Sequence, residues 1–193
     1  MLNFTVEEYK QRLEKTKKSM SEKGIDVLIV QDPANMNYLT GFDGWSFYVH
    51  QGVIVFIDQE QPIWFGRGQD ANAARLTTWL DDENIRAYTD DYVQNPLKHP
   101  YEFVADIIKE KGYDRKTIAT EKDAYYFTAQ CQESLEASLP NAKFKDGNLI
   151  VNWVKIIKSE TEIEYMRRAG KIVERAMQVA YDSIDMLAKS RVL

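Results

Sequence analysis

The chain has 193 residues, with 25 Lys and Arg against 30 Asp and Glu, a formal net charge of -5 and one cysteine. That length holds one good-sized domain plus an appendage without a disulfide staple, and the acidic balance excludes a nucleic-acid partner, which would need clustered basic residues. Lone Cys131 cannot form an internal disulfide and fits a reducing, cytoplasmic compartment; neither a signal segment nor an apolar run of about 18 residues predicts export or a membrane partner.

In chain order, Thr5 and Glu8 give a capping-box signature, and Val6, Tyr9, Leu13 and Met20 recur at helical spacing until Gly24 supplies a stop. One amphipathic helix is predicted to cover a sheet. Residues 26–30 read as a buried strand, and residues 33–39 as a short helix ended by Gly41. Residues 53–57 and 63–65, joined by a turn over 58–61, read as an antiparallel hairpin, so the sheet is mixed. A helix over 70–80 follows, with Ala71, Ala74 and Leu80 in register and Trp79 near the same face. Residues 85–88 suit an edge strand. A loop with Pro96, His99 and Pro100 then leads to a helix over 101–111 that turns Phe103, Ile107 and Ile108 inward and stops at Gly112. His99, beside a proline in a polar loop, is expected to be solvated. A short strand at Ile118 and Ala119, a helix over 125–139 holding Cys131, and a last strand over 142–144 complete the alternation. The expected fold class is α/β: a three-layer α/β/α sandwich around a mixed, mostly six-stranded sheet, plus a long C-terminal helix.

The connection over 32–52 leaves one apolar run and returns to another, yet it crowds Tyr38, Phe42, Trp45, Phe47 and Tyr48 among Asn35, Asn37, Asp43, His50 and Gln51. Rings supply contact area at little entropy cost and polar atoms fix orientation, the composition a binding surface needs; roofing of the core accounts equally well for any single ring. Gly66-Arg67-Gly68 before a helix suggests an anion cradle, but the longer phosphate-loop pattern is absent, and a turn needing positive φ accounts for both glycines. Arg67 remains a candidate contact for substrate or subunit. Two histidines well apart and one cysteine form no recognisable metal-ligand spacing, and no nucleophile stands beside a base.

Beyond residue 147 the pattern changes. Residues 146–153 read as a connector, Ser159-Glu160-Thr161-Glu162 as a second capping box, and Ile163, Met166, Val173, Met177, Ala180, Ile184 and Leu187 as one stripe on a long helix. Two parts are expected: a domain over 1–147, then a linker and the first helix of an otherwise absent domain over 148–193. Such a stripe lies on the first domain, pairs with another copy, or belongs to a further domain.

Asp32-Pro33-Ala34-Asn35-Met36-Asn37-Tyr38-Leu39-Thr40-Gly41, with a helix before it and Lys155-Ile156-Ile157-Lys158-Ser159-Glu160-Thr161-Glu162-Ile163 far downstream, resembles the amino-terminal domain of the creatinase and prolidase family of carbon–nitrogen hydrolases. The run from Thr40 to Gln51, with Trp64-Phe65-Gly66-Arg67-Gly68-Gln69-Asp70-Ala71-Asn72 and Val151-Asn152-Trp153, is similar to the ectoine-hydrolysing branch of that family.

The resemblance implies that a larger catalytic domain carries the chemistry. In metal-dependent members that domain places two aspartates, a histidine and two glutamates around two divalent metals, whereas creatinase works without metal; no cofactor is therefore expected from this chain. It also implies a homodimer in which this domain borders the partner's substrate site, with Trp45, Phe47, Tyr48, His50, Gln51 and Arg67 as candidate substrate contacts acting in trans. Phe47 matches a substrate-contacting phenylalanine of creatinase, but Val49 stands where creatinase has an arginine, which argues against a creatine substrate. His50 is a candidate donor to a substrate carboxylate, with a charge responsive to physiological pH; the competing reading is a histidine satisfied by nearby backbone. The expected function is thus the dimerisation and substrate-bordering domain of a family hydrolase of small molecules, inactive by itself. The alternatives are the same domain of an Xaa-Pro dipeptidase or aminopeptidase, acting on dipeptides, and a free-standing binding or dimerisation module.

Overall fold

A computed structural model describes residues 2–190, with side chains through Ile184. Leu187 of the expected stripe lies outside the described side chains, and residues 191–193 lie outside the described residues.

The first helix, α1 (Val6–Glu22), starts where Thr5 Oγ1 accepts the Glu8 N–H at 3.2 Å and buries Tyr9, Leu13 and Met20. Gly24 follows it at φ 62. Strand β1 (Val27–Val30) leads to α2 (Pro33–Thr40), whose N-terminus is capped by Asp32 and whose end is Gly41 at φ 85. Glycine is required at 41 twice over: the left-handed backbone disfavours a side chain, and a Cβ would lie 2.9 Å from the Tyr9 hydroxyl.

Strands β2 (Gly52–Phe56) and β3 (Ile63–Arg67) form the expected hairpin. They are followed by α3 (Ala71–Thr77), β4 (Ile85–Tyr88), α4 (Pro100–Glu110), β5 (Thr117–Thr120), α5 (Ala129–Ser138), β6 (Lys143–Asp146), α6 (Ile150–Lys155) and α7 (Glu160–Ser190). The six strands order as β4-β3-β2-β1-β5-β6. The β1–β2 and β2–β3 pairs are antiparallel and the other three parallel, so the sheet is mixed, and residues 85–88 form an edge as expected.

Alternation along the strands divides the core. Leu28, Val30, Val53, Val55 and Trp64 face α1, α2, α3 and α6. Val27, Ile29, Ile54, Phe56 and Phe65 face α4 and α5. Each fully buried aliphatic or aromatic chain contributes about 1.5–3 kcal/mol, so this two-sided pattern holds the strands in register. Trp64 Nε1 is buried with no hydrogen-bond partner among the described residues.

Several expectations shift. The third helix stops at Thr77; Trp79 and Leu80 are buried beyond it, and Trp79 Nε1 donates to Leu39 O at 2.9 Å. The fifth begins at Ala129, not 125, because residues 121–127 close successive turns, with Ala124 N donating to Glu121 O and Phe127 N to Ala124 O. In α4, Tyr101, Val104, Ala105, Ile107 and Ile108 are buried, while Phe103 is only half-buried, edge-on to Tyr88 and Tyr92. Residues 146–153 are not a plain connector: α6 begins among them at Ile150 and packs on α1. Neither Gly66 nor Gly68 has positive φ. Gly66 is instead inside β3, where a Cβ would meet the Trp64 ring at 2.4 Å. The helix after it is too short for an anion site.

Met1–Ile156 form one compact unit and Ile157–Leu193 a second. In the second, Ser159 and Glu162 exchange reciprocal hydrogen bonds at 3.1 and 2.8 Å, the expected capping box, and α7 runs on as one long helix.

Candidate functional site

The β1–β2 connection is braced at both ends and presents its middle to solvent. At its start Glu121 Oε2 accepts the backbone N–H groups of Gln31 at 2.7 Å and Asp32 at 2.8 Å, and Oε1 accepts Asn35 Nδ2 at 2.6 Å. Asn35 also donates to Asn152 Oδ1 and accepts from Lys155 Nζ, so α6 is tied to the same carboxylate. Burial pushes the Glu121 pKa up in spite of those donors.

Toward the end of the connection Gln51 Nε2 donates to Gly44 O at 2.9 Å and closes the loop. Ser46 Oγ donates to Val49 O at 2.7 Å and accepts the Val49 N–H, fixing a tight turn. Between these braces Trp45, Phe47 and Tyr48 are 65, 76 and 58 % exposed, so they do not roof the core. Phe42 does, against Trp64. Trp45 and Phe47 lie with ring centroids 5.7 Å apart, and Trp45 Nε1 donates to the Tyr126 hydroxyl.

These rings edge a cavity of about 500 Å³ that Gln31, Pro33, Tyr125, Tyr126 and Thr128 also line. Trp45, Phe47, Tyr48, His50 and Gln51 all line it. Arg67 lies outside that lining, its guanidinium paired with Asp90 through two hydrogen bonds of 2.7 and 2.8 Å. That pair holds the Asp90 carboxyl below its usual range and raises Arg67.

His50 is not an exposed pH sensor. The Tyr101 hydroxyl donates to Gln31 Oε1 at 2.5 Å, which turns Gln31 Nε2 toward His50 Nδ1 at 3.3 Å and leaves that nitrogen unprotonated. Burial first, and His99 beside it second, push its pKa down to about 4, below the physiological range foreseen for it. The partners of its ring are the Gln31 and Cys131 side chains, and its carbonyl accepts from the Tyr88 hydroxyl.

His99 also departs from expectation. It is half-buried and caps α4: Nδ1 accepts the Tyr101 N–H at 3.2 Å, while Glu102 accepts the His99 N–H. Its pKa too is lowered by burial. Fully buried Cys131 completes a cluster, with Sγ 3.7 Å from His50 Nδ1. His99 and Cys131 were not legible as site residues, because no local spacing links them to His50.

The donor set of that cluster is two imidazoles and a thiol. It does not match the carboxylate-rich two-metal set that the family resemblance implies, and it is the one group of at least three His, Cys, Asp or Glu near enough for a shared ion among the described residues.

The family description Creatinase/Prolidase N-terminal domain matches residues 12–157. The chain is 51% identical over 173 residues to the ectoine hydrolase of Halomonas elongata, a match covering 89% of this chain and 43% of that protein. It is 27% identical over 173 residues to an Xaa-Pro dipeptidase of Lactobacillus delbrueckii subsp. lactis, covering 89% of this chain and 44% of that protein. The crystal structure of dipeptidase PepE from Mycobacterium ulcerans superposes with a TM-score of 0.69 at 16% identity, covering 91% of this chain and 44% of that one, a likeness of fold. The chain thus spans less than half the length of the curated relatives it matches. With the mixed sheet, the flanking helices and the matched residues in agreement, the chain belongs to the creatinase/prolidase family, as its N-terminal domain.

Proposed function

We propose that this chain is the substrate-bordering and dimerisation domain of a carbon–nitrogen hydrolase that opens a small cyclic substrate of the ectoine type. The supporting observation is the braced aromatic loop: exposed rings at Trp45, Phe47 and Tyr48 are held beside a cavity of about 500 Å³ by hydrogen bonds at both stems. Ordered rings that the chain's own core leaves uncovered suit contact with a ligand or a second copy. Identity of 51% to the Halomonas elongata ectoine hydrolase supports this branch over the dipeptidases, where identity falls to 27%.

In this reading Trp45, Phe47, Tyr48 and Gln51 touch substrate bound at a catalytic centre on other residues, in trans across a homodimer in the cytoplasm. Arg67, already paired with Asp90, orients the loop's surroundings or meets the second subunit. The bond-breaking groups and any pair of divalent metals belong to a further domain, and the 193 residues alone have no hydrolytic turnover.

The test is a side-by-side assay of ectoine and an Xaa-Pro dipeptide on a polypeptide joining this domain to a catalytic domain, with and without Phe47→Ala. Ectoine turnover whose KM rises at least fivefold in Phe47→Ala supports the reading. Dipeptide cleavage without ectoine turnover overturns the branch, and unchanged kinetics in Phe47→Ala removes the loop from the site.

A further inference from the structure

Three side chains from three elements converge behind the aromatic loop. His50 ends the β1–β2 connection, His99 caps α4, and Cys131 lies in the first turn of α5. One nitrogen of each imidazole and the Cys131 sulfur all lie within 4.8 Å of one another. The two imidazole centroids are 5.0 Å apart. A cavity of about 200 Å³, lined by Tyr92, Lys98, His50 and His99, opens onto the pair.

The plainer account makes Cys131 an apolar filler near Thr128 Oγ1 and His99 a helix cap. It leaves unexplained why a thiol and two histidines, each with a lone pair, crowd together at the edge of the core. Tetrahedral zinc, with Zn–N of about 2.0–2.1 Å and Zn–S of about 2.3 Å, places its ligand atoms about 3.3–3.6 Å apart. The His50–Cys131 separation of 3.7 Å is already close to that value; His99 must close in, and His50 Nδ1 must give up the hydrogen bond it accepts from Gln31 Nε2.

We propose that His50, His99 and Cys131 form a mononuclear site for a divalent cation of the zinc class. Two imidazoles and a thiolate exclude magnesium and calcium, which take oxygen ligands, and suit a borderline-soft ion. No carboxylate enters the set. Cys131 passes its thiol proton to solvent as the metal–sulfur bond forms; no electron is transferred. Gln31 Oε1 is engaged by the Tyr101 hydroxyl, which leaves the fourth position to a water from the cavity.

A neutral His99 that ligates through Nε2 must carry its proton on Nδ1, and one that ligates through Nδ1 has used that lone pair. Either way it stops accepting the Tyr101 N–H.

The experiment titrates the untagged 193-residue chain with Co²⁺ and then Zn²⁺, following absorbance and backbone amide NMR. Expected are one Co²⁺ per chain with a sulfur-to-cobalt charge-transfer band, displacement by Zn²⁺, and a shifted Tyr101 amide. His99→Asn should weaken Zn²⁺ binding at least tenfold and Cys131→Ser should abolish the band, with circular dichroism reporting the fold. Absence of the band from the unsubstituted chain, or binding that is unchanged in a folded His99→Asn variant, overturns the proposal even if Cys131→Ser fails to fold.

Discussion

The indole N–H of Trp45 donates to the hydroxyl of Tyr126 at 2.6 Å across a gap of 81 residues, joining the exposed loop to the turn before α5. Both groups are open to water, so the bond contributes order more than stability, about 0.5–1 kcal/mol. Tyr126→Phe should leave the melting temperature within about 4 °C while hydrogen exchange over residues 43–49 accelerates several-fold. Unaltered exchange there would show that the loop is held without this clasp.

Glu121 is the polar keystone of the unit. In Glu121→Gln one oxygen becomes an NH2 group facing Asn35 Nδ2, and Asn35 cannot flip without losing its bond from Lys155 Nζ. We expect a loss of about 1–3 kcal/mol in denaturant midpoint analysis. Since burial raises the folded-state pKa, the carboxyl's contribution is fully present below the ordinary glutamate range and diminishes as pH rises through the elevated value. The gap between the parent and Glu121→Gln should therefore narrow from about pH 4 upward.

Gly41→Ala places a Cβ at φ 85, 2.9 Å from the Tyr9 hydroxyl and 3.1 Å from Thr77 O. Backbone strain and the clash together should cost about 1–3 kcal/mol. Thermal unfolding reads this directly, and Gly112→Ala, also at positive φ but with nothing within 4 Å, isolates the backbone share.

The Tyr113 hydroxyl donates to Asp58 Oδ1, and with Gln59 it holds that carboxyl below the usual aspartate range. A depressed pKa contributes stability above the unfolded value that disappears as pH falls through the folded one. The stability difference between the parent and Tyr113→Phe should then shrink between about pH 5 and pH 2. A constant difference over that range would assign the effect to packing against Phe56.

Much of the fold was legible because it rests on local rules. Caps at Thr5 and Ser159, stops at Gly24, Gly41 and Gly112, and apolar strand runs each act within a few residues. The misreadings share a different cause. Residues 125–128 carry no helix-breaking residue, yet Glu121 and Ala124 carbonyls capture their neighbours in turns. Residues 150–155 look like a linker until α1 gives them a surface to pack on. At the candidate site the exposed rings announced themselves by composition. The Gln31–His50–Cys131 contacts did not, because tertiary packing alone joins residues as far as 81 positions apart.

The strand order carries a practical corollary. The aromatic segment springs from β1 and β2, the antiparallel pair at the middle of the sheet, each flanked by a further strand. Its posts are thus the last part of the sheet to fray, whereas its tip touches little of the core. Residues 45–48 can be exchanged as a cassette with the foundation left undisturbed.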